Sequence, residues 1–511
     1  MKRSVKLLMT ALGLYLALLL LLLAAEAGAP GASIHSFGDA LWYSFITMTT
    51  VGYGDLSPVT PFGRLLGALF ALCSIGILTA LISLGLNQIG GQWLPRLRLR
   101  RTKNRRWYAF NAENADSAAL AAALREEDGS CMLIFPAGGK LAEGRNVLRM
   151  DWQAPELLRL HGAAEGLTLF WMGGELQEDY AKALDAAADG ISCCCMADFV
   201  PGKLPKGLRL FSRREALSRC YWKEHPLKKD ERCIVFIGCG AAGSALLERA
   251  LLTNVFEAGR TTDYHVFGDI ATFAALHPEI LKALDGSQAG EDRLQLHAEP
   301  WEQARELLAR ADRILVCTDS DEDNFSICRS LRRWYVSGAA LHVRLGEKVP
   351  GLVCFGERSE CLRPEFVLKD ELNLRARLMN EIYNEGAAQP TAWEDLPFFL
   401  RQSNIAAADH LIVKARYLLE DESLTELSAE VCARAAARFR EVFRDRAELL
   451  QEMEHRRWLR FHWMYNWQYA PKRDNARRLH PLLQPYDRLP EAERRKNAYA
   501  WEILDRLAEQ S

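Results

Sequence analysis

Two long stretches near the start of the chain carry no charged side chain, and a short, more polar interval separates them. Leu7–Ala25 and Leu65–Ile89 are the two stretches, and about twenty residues suffice for a helix to cross a hydrocarbon core of roughly 30 Å. Between them, Asp39–Thr49 mixes apolar, aromatic and polar positions as a short amphipathic helix does. The pattern predicts two transmembrane helices with a half-helix and a re-entrant loop between them.

The loop that follows the half-helix has the composition of an ion-binding backbone. A dehydrated K⁺ needs a cage of oxygen atoms in place of its water shell, and backbone carbonyls supply one when successive residues aim them at a common axis. Gly52 and Gly54 tolerate the positive φ angles that such a backbone requires, and Asp55 follows them. The predicted K⁺ ligands are the backbone carbonyl oxygens of Thr50, Val51, Gly52 and Tyr53.

Around this loop the sequence resembles the two-transmembrane potassium-channel family. The matching segments are Ala40–Ser44, Thr49–Asp55, Pro58–Thr60 and Phe62–Leu65, within residues 1–90. The resemblance implies a homotetrameric pore with K⁺ in its filter, in which Trp42 and Tyr43 brace the loop and Asp55 closes it on the outer side. Some members have a glutamate where this chain has Ile46, so filter inactivation is expected to differ.

Two glycines interrupt the second apolar stretch, Gly76 and Gly85. Glycine weakens a helix locally, so either residue is a candidate hinge for opening a pore. Close packing of helices in the membrane is an equally good explanation of both.

The basic residues predict the orientation of the spans. Lys2, Arg3 and Lys6 precede the first stretch, a basic linker at residues 91–106 follows the second, and no Lys or Arg lies between Lys6 and Arg64. The positive-inside rule then places both termini in the cytoplasm of a multi-pass protein of the plasma (inner) membrane. The linker is also expected to touch anionic membrane lipid. A cleaved signal peptide is the alternative interpretation of the N-terminus, but its removal would delete a helix that the pore needs.

Composition restricts the classes of partner. The chain has 511 residues with 64 Lys+Arg and 66 Asp+Glu, a balance that gives no reason to expect a nucleic-acid partner. Its 13 cysteines are an odd number scattered along the chain, which favours reduced thiols. Cys193, Cys194 and Cys195 are adjacent in an apolar run, where neighbours alternate faces, so a buried strand is expected rather than a metal site.

From Trp107 onward, strand-like and helix-like runs alternate, which predicts parallel α/β sheets. Residues 107–228 form a first unit, in which the strand Trp107–Phe110 is followed by Asn111–Asp116 without a glycine. A phosphate-binding turn needs glycine at that place. This unit is therefore expected to be a degenerate Rossmann-like domain with a structural role.

Residues 229–360 form a second unit, whose phosphate-binding loop is intact. The strand Cys233–Ile237 leads into a G-x-G-x-x-G loop and then a helix, which is the setting that this motif requires. NAD or another adenine nucleotide is the predicted regulatory ligand, and a folded but empty loop is the alternative. The predicted nucleotide-binding residues are Gly238, Gly240, Gly243, Asp269, Thr318 and Asp319.

The second unit also resembles the regulator of K⁺ conductance (RCK, TrkA-N-like) domains that control potassium transport. The segments that carry this resemblance are Asp312–Asn324 and Ala340–Leu345. It implies tandem pairs of such domains arranged beneath a tetrameric pore, with a small-molecule ligand whose identity differs among members.

Residues 361–444 are predicted to be a helical connector, and residues 445–511 resemble the ryanodine-receptor (RyR) repeat domain. The matching segments are Glu454–Trp458, Asn466–Asp474, His480–Tyr486 and Leu489–Lys496. The resemblance implies a small all-α module, although Asn466 and Ala470 replace glycines that the repeat usually carries. Core packing is the preferred explanation of most of its aromatic residues. The candidate ligand-binding residues are Trp467, Tyr469, Arg473, His480 and Tyr486.

Together these features predict a membrane α-helical two-transmembrane tetrameric pore, followed by tandem α/β Rossmann-like domains and an all-α RyR domain. The resemblances imply a ligand-gated, potassium-selective channel and not an enzyme. One alternative is an effector channel that opens on a nucleotide signal and depolarises the cell, for instance in phage defence. The other is a membrane-anchored NAD-dependent dehydrogenase, for which the sequence shows no acid–base residue placed to face a nicotinamide.

Overall fold

The computed structural model describes residues 2–49, 51–72, 93–198, 204–288, 290–335, 338–385, 387 and 389–510. Thr50, Gly76 and Gly85, and with them most of the second apolar stretch, lie outside the described residues. The chain divides into two units, Met1–Arg101 with Arg149–Asp151, and Thr102–Leu148 with Trp152–Ser511.

The first unit is helical in most of its described part. Its helices are Lys2–Glu26, Phe37–Met48 and Leu94–Arg100, and residues 61–72 are also helical. The first helix covers the predicted first span, and the second begins two residues before the predicted half-helix. Ser36 caps that second helix, because its hydroxyl accepts the Asp39 N–H and the Asp39 carboxylate accepts the Ser36 N–H.

A small apolar core holds the described part of the first unit together. Its buried residues are Leu19, Leu22, Ile34, Ala40, Leu66 and Phe70. Within the described ranges, no helix is both long and apolar enough to cross a membrane.

Two six-stranded sheets form the framework of the second unit, and both have the 3-2-1-4-5-6 strand order of dinucleotide-binding folds. The strands are β1 Trp107–Phe110, β2 Met132–Phe135, β3 Val147–Arg149, β4 Leu167–Trp171, β5 Ser192–Met196, β6 Leu208–Phe211, β7 Cys233–Ile237, β8 Asp263–Phe267, β9 Arg293–His297, β10 Arg313–Val316, β11 Ala340–Arg344 and β12 Val353–Phe355. The first sheet has the order β3-β2-β1-β4-β5-β6 and the second β12-β11-β10-β7-β8-β9. The predicted pair of Rossmann-like α/β domains is confirmed.

Helices cover the sheets and continue beyond them to the C-terminus. The α-helices are Ala115–Glu127, Ala154–His161, Leu176–Ala188, Arg213–Glu224, Ala241–Thr253, Ile270–Leu276, Pro278–Ala283, Arg305–Arg310, Asp321–Ser330, Arg358–Cys361, Pro364–Lys369, Leu374–Glu385, Phe398–Leu419, Ala429–Met464, Glu491–Lys496 and Tyr499–Gln510. Short 3₁₀ turns lie at Trp301–Gln303, Glu371–Asn373, Trp393–Asp395 and Tyr486–Arg488, and a π turn at Leu331–Tyr335.

The register of the second sheet brings its functional segments to one edge. Ile237 at the end of β7 pairs with Phe267 of β8 on one side and with Val316 of β10 on the other. The segments that follow these strands therefore meet at the carboxyl edge of the sheet, where ligands of doubly wound folds bind.

One apolar core extends from the second sheet into the C-terminal helices. It includes Phe236 of β7, Leu411 of the helix Phe398–Leu419, and Met453 and Trp501 from the last part of the chain. The C-terminal region therefore packs on the second Rossmann-like domain and buries apolar surface against it.

Two helical segments, which together span Ala429–Met464, meet at a kink at Arg446 (φ −123°, ψ 19°), close to the predicted boundary between residues 444 and 445. The C-terminal region differs from the sequence prediction in one detail. It is not strictly all-α, because two short strands, β13 Gln468–Tyr469 and β14 Leu479–His480, pair with each other. The two strands flank the loop of residues 470–478. A strand of two residues is too short to show a hydrophobic period in the sequence, so it could not be predicted.

The three adjacent cysteines lie in a buried strand, as the sequence predicted. Cys193, Cys194 and Cys195 are buried in β5, and burial raises the pKa of Cys193 to about 11 and of the other two to about 12. In the part of the chain that the structure describes, no group of His, Cys, Asp or Glu side chains is arranged to hold a metal ion.

Candidate functional site

Two glycines of the predicted filter loop have the positive φ angles that the sequence predicts. Gly52 and Gly54 have φ angles of +57° and +75°, in the region that L-residues with a Cβ resist. The N–H groups of Val51 and Gly52 donate to the carbonyl oxygen of Ile46, at 3.1 and 3.3 Å. The loop thus starts by closing onto the end of the half-helix.

An aromatic residue of the half-helix braces the outer side of the loop. The indole N–H of Trp42 donates to the carboxylate of Asp55 at 3.1 Å, and the Trp42 ring stacks on Tyr53 with 6.5 Å between centroids. Both contacts tie the loop to the helix that precedes it. Thr50, the remaining predicted ligand, lies outside the described residues.

Sequence reasoning missed one buried acid in the first unit. The carboxylate of Glu26 accepts hydrogen bonds from the N–H groups of Val59 and Thr60, at 2.9 and 3.0 Å, and from the Thr60 hydroxyl at 2.7 Å. Glu26 has no exposed surface. It ties the end of the first helix to the segment after the filter. The available signal was a lone acid at the end of a long apolar run.

Two of the three loop glycines in the second Rossmann-like domain are required by close backbone contacts. A Cβ on Gly238, whose φ is +114°, would lie 2.5 Å from the backbone nitrogen of Thr318. A Cβ on Gly243 would lie 2.1 Å from the carbonyl oxygen of Gly238. These glycines let the helix Ala241–Thr253 pack against the sheet, whether or not a ligand is present.

The middle glycine faces a side chain of the protein itself. The Asp319 carboxylate accepts hydrogen bonds from the N–H groups of Ala241 and Ala242, at 2.8 and 2.9 Å, the first two residues of the helix that follows the loop. A Cβ on Gly240 would lie 2.2 Å from one carboxylate oxygen of Asp319. Asp319 therefore occupies the end of the helix where this motif usually holds phosphate.

Thr318 has a structural part in the same turn. Its N–H and its hydroxyl both donate to the side-chain oxygen of Asn324, each at 2.8 Å. Asn324 is fully buried and donates in turn to the carbonyl oxygens of Thr318 and Arg344, each at 3.0 Å. Asn324 is the last residue of the segment that resembles RCK domains, but its structural role can be recognised only from these contacts. Asp269 is exposed at the end of β8.

A cleft of about 670 Å³ opens beside the glycine loop. Gly240, Asp269 and Asp319 line one side of it, while residues that follow the last strands of the first sheet and residues of the C-terminal helices line the rest. The charged lining is mostly acidic, because its carboxylates outnumber its two guanidinium groups, Arg214 and Arg249. Arg214 contacts Asp198 and Arg249 contacts Asp409, each at 2.9 Å. The lining carboxylates are Asp198, Glu215, Glu248, Asp269 and Asp319.

The equivalent edge of the first sheet is filled by the protein's own side chains. Asn111 donates its amide to Asp179 at 2.6 Å, and Asp179 accepts the N–H of Gly173 at 2.7 Å. Asn114 caps the next helix with its side chain through a reciprocal pair with Ser117. The polar groups at this edge thus have hydrogen-bond partners within the domain itself. The structural role of this domain stays a prediction.

A second cleft, of about 1030 Å³, lies between the RyR-like region and the second Rossmann-like domain. Three of the five residues predicted there, Trp467, Tyr469 and Tyr486, line it. Arg473 and His480 do not: the guanidinium of Arg473 donates to Asn475 at 2.8 Å, and His480 is buried. The sequence could not show which of the five residues line the cleft, because this depends on the tertiary fold of the loop that carries them. Further lining residues that the sequence did not single out include Trp463, Arg488 and Arg494.

The aromatic residues of this second cleft differ in availability. Trp467 is 6% exposed and packs on Phe399, with 5.2 Å between ring centroids, so it is mainly a core residue. The hydroxyl of Tyr486 donates to the buried side chain of Gln451 at 2.8 Å. Tyr469 is 55% exposed and is therefore the ring most accessible to a ligand.

The charges of the second cleft are mixed. Arg488 and Arg494 line it together with the carboxylates of Glu448, Glu452 and Asp487. Burial raises the pKa of Glu452 above its ordinary value; the charge of Arg456 opposes this, and neighbouring carboxylates add to it. The cleft therefore lacks the uniformly basic lining that a phosphate-bearing ligand favours.

Buried ion pairs fasten the wall of this cleft to the second Rossmann-like domain. Arg460 contacts Asp292 at 2.6 Å, with 1% and 2% of the two side chains exposed. Arg456, on the same helix, contacts Glu291 at 3.2 Å. The two domains share this interface in addition to their common apolar core.

Family models match two segments of the chain. Residues 8–89 match the ion channel model, and residues 436–508 match the RyR domain model. The chain therefore carries an N-terminal ion-channel domain and a C-terminal RyR domain, as the sequence resemblances implied. The RyR match begins within the helix Ala429–Met464, before the predicted boundary.

Curated relatives match a short part of the chain, and they are potassium channels. A voltage-gated potassium channel of Aeropyrum pernix is 51% identical over 53 residues, which are 10% of this chain and 18% of that protein. The potassium voltage-gated channel subfamily A member 4 of Homo sapiens is 47% identical over 55 residues, 11% of this chain and 8% of that protein. The chain thus spans less than a fifth of the length of these relatives.

Solved structures of the GsuK channel cover more of the chain at lower similarity. The GsuK structure bound to ADP is 14% identical, with a TM-score of 0.34, over 72% of this chain and 100% of that one. The GsuK channel bound to NAD is 12% identical, with a TM-score of 0.33, over 74% of this chain and 85% of that one. Similarity at this level is too weak to support a conclusion about this protein.

Proposed function

We propose that the protein is a homotetrameric, ligand-gated K⁺ channel of the plasma (inner) membrane, with both termini in the cytoplasm. The observation that carries the proposal is the filter loop, in which Gly52 and Gly54 adopt positive φ angles and Trp42 holds Asp55. Such a backbone can turn successive carbonyl oxygens toward one axis, where they replace the hydration shell of K⁺. The ion-channel match and the potassium-channel relatives support the same assignment.

Conduction in reconstituted liposomes tests this proposal. The full-length protein should pass K⁺ well over Na⁺, with a reversal potential that follows the K⁺ gradient. Gly54→Ala should abolish selective flux, because a Cβ resists a φ of +75°. Gly38→Ala is the matched control, since a Cβ there meets its nearest atom at 3.5 Å. Equal Na⁺ and K⁺ currents from the intact protein would refute the assignment.

The proposed regulatory ligand is NAD or another adenine nucleotide, bound in the cleft beside the glycine loop. The doubly wound sheet, the loop in its strand–turn–helix setting and the exposed carboxylate of Asp269 at the end of β8 support this. Asp269 would bind ribose hydroxyls, which are hydrogen-bond donors to a carboxylate.

Calorimetry on the full-length protein in detergent tests the ligand. Asp269→Ala should weaken the binding of NAD and ADP, whereas Asp230→Ala should not, because Asp230 is an exposed carboxylate of the same domain that lies outside the cleft. If wild-type protein gives no heat with any adenine nucleotide or dinucleotide, the loop is structural and this ligand is wrong.

Gating would proceed through the two α/β domains of each subunit. Four subunits would assemble eight such domains into a ring that pulls on the second span through the linker, residues 91–106. Shifting the pore from 1:99 to 99:1 open requires roughly 5.5 kcal/mol of differential binding, or about 1.4 kcal/mol at each of four sites. Deletion of the chain after Gly91 should leave a pore that ignores the nucleotide, and retained sensitivity would contradict this mechanism.

The RyR domain is proposed as a second ligand-binding module. Its cleft presents the exposed ring of Tyr469 beside Arg488 and Arg494, and stacking of a base on an aromatic ring is worth about 1–3 kcal/mol. Tyr469→Ala should reduce the ligand response while the tetramer stays intact. A normal response in this variant would favour a purely structural module.

A further inference from the structure

The strongest unexplained feature of the nucleotide cleft is the side chain that already fills its anion-binding corner. Asp319 accepts both N–H groups offered by Ala241 and Ala242, with one carboxylate oxygen on each. These are the first two residues of a helix of 13 residues. The carboxylate is itself an anion bound at this position, so the corner is built for negative charge and is occupied.

The loop leaves room for the Asp319 carboxylate at the place where this motif normally holds phosphate. Gly240 has no Cβ, and one would lie 2.2 Å from a carboxylate oxygen of Asp319. Glycine at this place of the motif normally lets phosphate approach the backbone. A phosphate and the Asp319 carboxylate cannot use the two N–H groups together, because each group has one hydrogen to donate.

Charge sharpens the conflict. A phosphate entering the corner would meet the negative charge of Asp319 at hydrogen-bond range, with the carboxylates of Asp269 and Glu248 also lining the cleft. Like charges at hydrogen-bond distance repel even where water screens them. Asp319 is exposed to the cleft, so its side chain has room to leave when an anion arrives.

We infer that Asp319 is an internal competitor of the ligand's phosphate, so that a pyrophosphate-bearing adenine nucleotide binds the glycine loop only by displacing the Asp319 carboxylate from the helix Ala241–Thr253. The inference rests on the proposed nucleotide function and deepens it. Asp319 therefore lowers the affinity for phosphate. It favours ligands whose other contacts with the cleft are strong enough to compensate for displacing the Asp319 carboxylate.

The displaced residue lies next to a contact between the two Rossmann-like domains. Asp319 is two residues before Asp321, whose carboxylate contacts Arg344 at 2.8 Å and Arg358 at 3.9 Å. Arg358 also contacts Asp116 of the first Rossmann-like domain at 3.1 Å. Asp319 is thus two residues along the chain from a series of ion pairs that joins the two Rossmann-like domains.

The test compares charge-only variants of the full-length protein by calorimetry, with ADP, pyrophosphate and adenosine as probes. Asp319→Asn removes the charge with little change of shape, and Asp319→Ala removes the competing acceptors altogether. Asp323→Asn is the matched control. Asp323 is an exposed acid in the first turn of the helix Asp321–Ser330, four residues after Asp319, and it accepts no hydrogen bond from Ala241 or Ala242. Adenosine controls for contacts that do not involve phosphate.

We expect Asp319→Asn and Asp319→Ala to bind ADP about 10- to 100-fold more tightly than wild type, which is the range that one or two charge-assisted hydrogen bonds provide. Pyrophosphate should gain similarly, adenosine should not change, and Asp323→Asn should resemble wild type. Unchanged or weaker ADP binding in both Asp319 variants would overturn the inference, as would an equal gain in Asp323→Asn or for adenosine. Failure of the nucleotide function itself is recognised separately, since wild type would then bind none of the adenine probes.

Discussion

Removing the charge of Glu454 should destabilise the protein far more than removing that of Lys414, although the two form one ion pair. Lys414 contacts Glu454 at 2.8 Å, and Arg457 donates to both Glu454 oxygens at 2.7 to 3.1 Å. The exposed fractions of the three side chains are 0%, 6% and 4%. The cluster joins the helix Phe398–Leu419 to the helix Ala429–Met464 of the RyR region.

The asymmetry follows from counting charges. Two cations face one carboxylate, so Glu454→Gln leaves two buried cations without a counter-ion, whereas Lys414→Met leaves the neutral pair of Glu454 and Arg457. Breaking a buried pair by removing the sole counter-ion costs about 3–5 kcal/mol, while an apolar replacement of similar size is often close to neutral. Burial opposes it, yet Arg457 and Lys414 lower the pKa of Glu454 to about 2, as expected for the one acid between two cations.

Lys414→Met also removes a hydrogen bond, from Lys414 Nζ to the carbonyl oxygen of Ala500 at 3.0 Å. A neutral acceptor left without that bond costs about 1 kcal/mol. We therefore expect a loss of about 3–5 kcal/mol for Glu454→Gln and about 1 kcal/mol for Lys414→Met. In the double variant, the second change should relieve part of the first, because it removes one of the two uncompensated cations.

Urea unfolding of the full-length protein in detergent measures these values. The Trp501 ring centroid lies 5.2 Å from Lys414 Nζ, and Trp501 is one of 13 tryptophans whose combined emission follows unfolding of the whole chain. Slopes must match among variants for the free energies to be compared. Equal losses in the two single variants, or additive losses in the double variant, would refute the reasoning.

Three further predictions concern other parts of the chain. His410 is fully buried, and burial lowers its pKa to about 3. The stability that it contributes is therefore present above pH 6.5 and is lost as pH falls toward 3, at about 1.4 kcal/mol per pH unit. His410→Gln should make the free energy of unfolding less dependent on pH in this range, and an unchanged pH dependence would contradict the assignment. Gly243→Ala should lower the unfolding midpoint and nucleotide affinity, because its Cβ would lie 2.1 Å from a carbonyl oxygen, whereas Gly338→Ala, with nothing within 4 Å, should change neither. Trp467→Ala should cost about 3–5 kcal/mol of stability as a core residue, while the exposed Tyr469→Ala should cost little, and similar losses in both would refute the division between core and cleft.

Features that depend on neighbouring residues could be predicted from the sequence. The positive φ angles of Gly52 and Gly54 and the strand–loop–helix arrangement around Gly238 follow from residue types at fixed spacing. Strand β7 has the predicted bounds, Cys233–Ile237, because a continuous apolar run indicates a strand buried on both faces. The tandem parallel sheets followed from the alternation of such runs with helices.

Features that depend on distant residues could not. Glu26 contacts Thr60, 34 positions away along the chain, and Asp319 contacts Ala241, 78 positions away. At such separations, residue types alone do not predict which side chains form hydrogen bonds with each other. The sequence therefore assigned Asp319 to the ligand, whereas the fold gives it the N–H groups that the ligand would use. The same limit grouped Arg473 and His480 with the residues that line the RyR cleft.

By itself, the sequence determined the local backbone and the order of domains, since covalent geometry, glycine placement and hydrophobic period act over a few residues. The tertiary structure alone decided which polar groups meet. Buried donors and acceptors must find partners, and the packing of separate elements selects those partners: Asp319 on the glycine-loop helix, Glu454 between Lys414 and Arg457, and Glu26 against the segment after the filter. Local pattern predicts where a strand or a loop lies, but only the closed fold decides whether its hydrogen bonds remain open to a ligand.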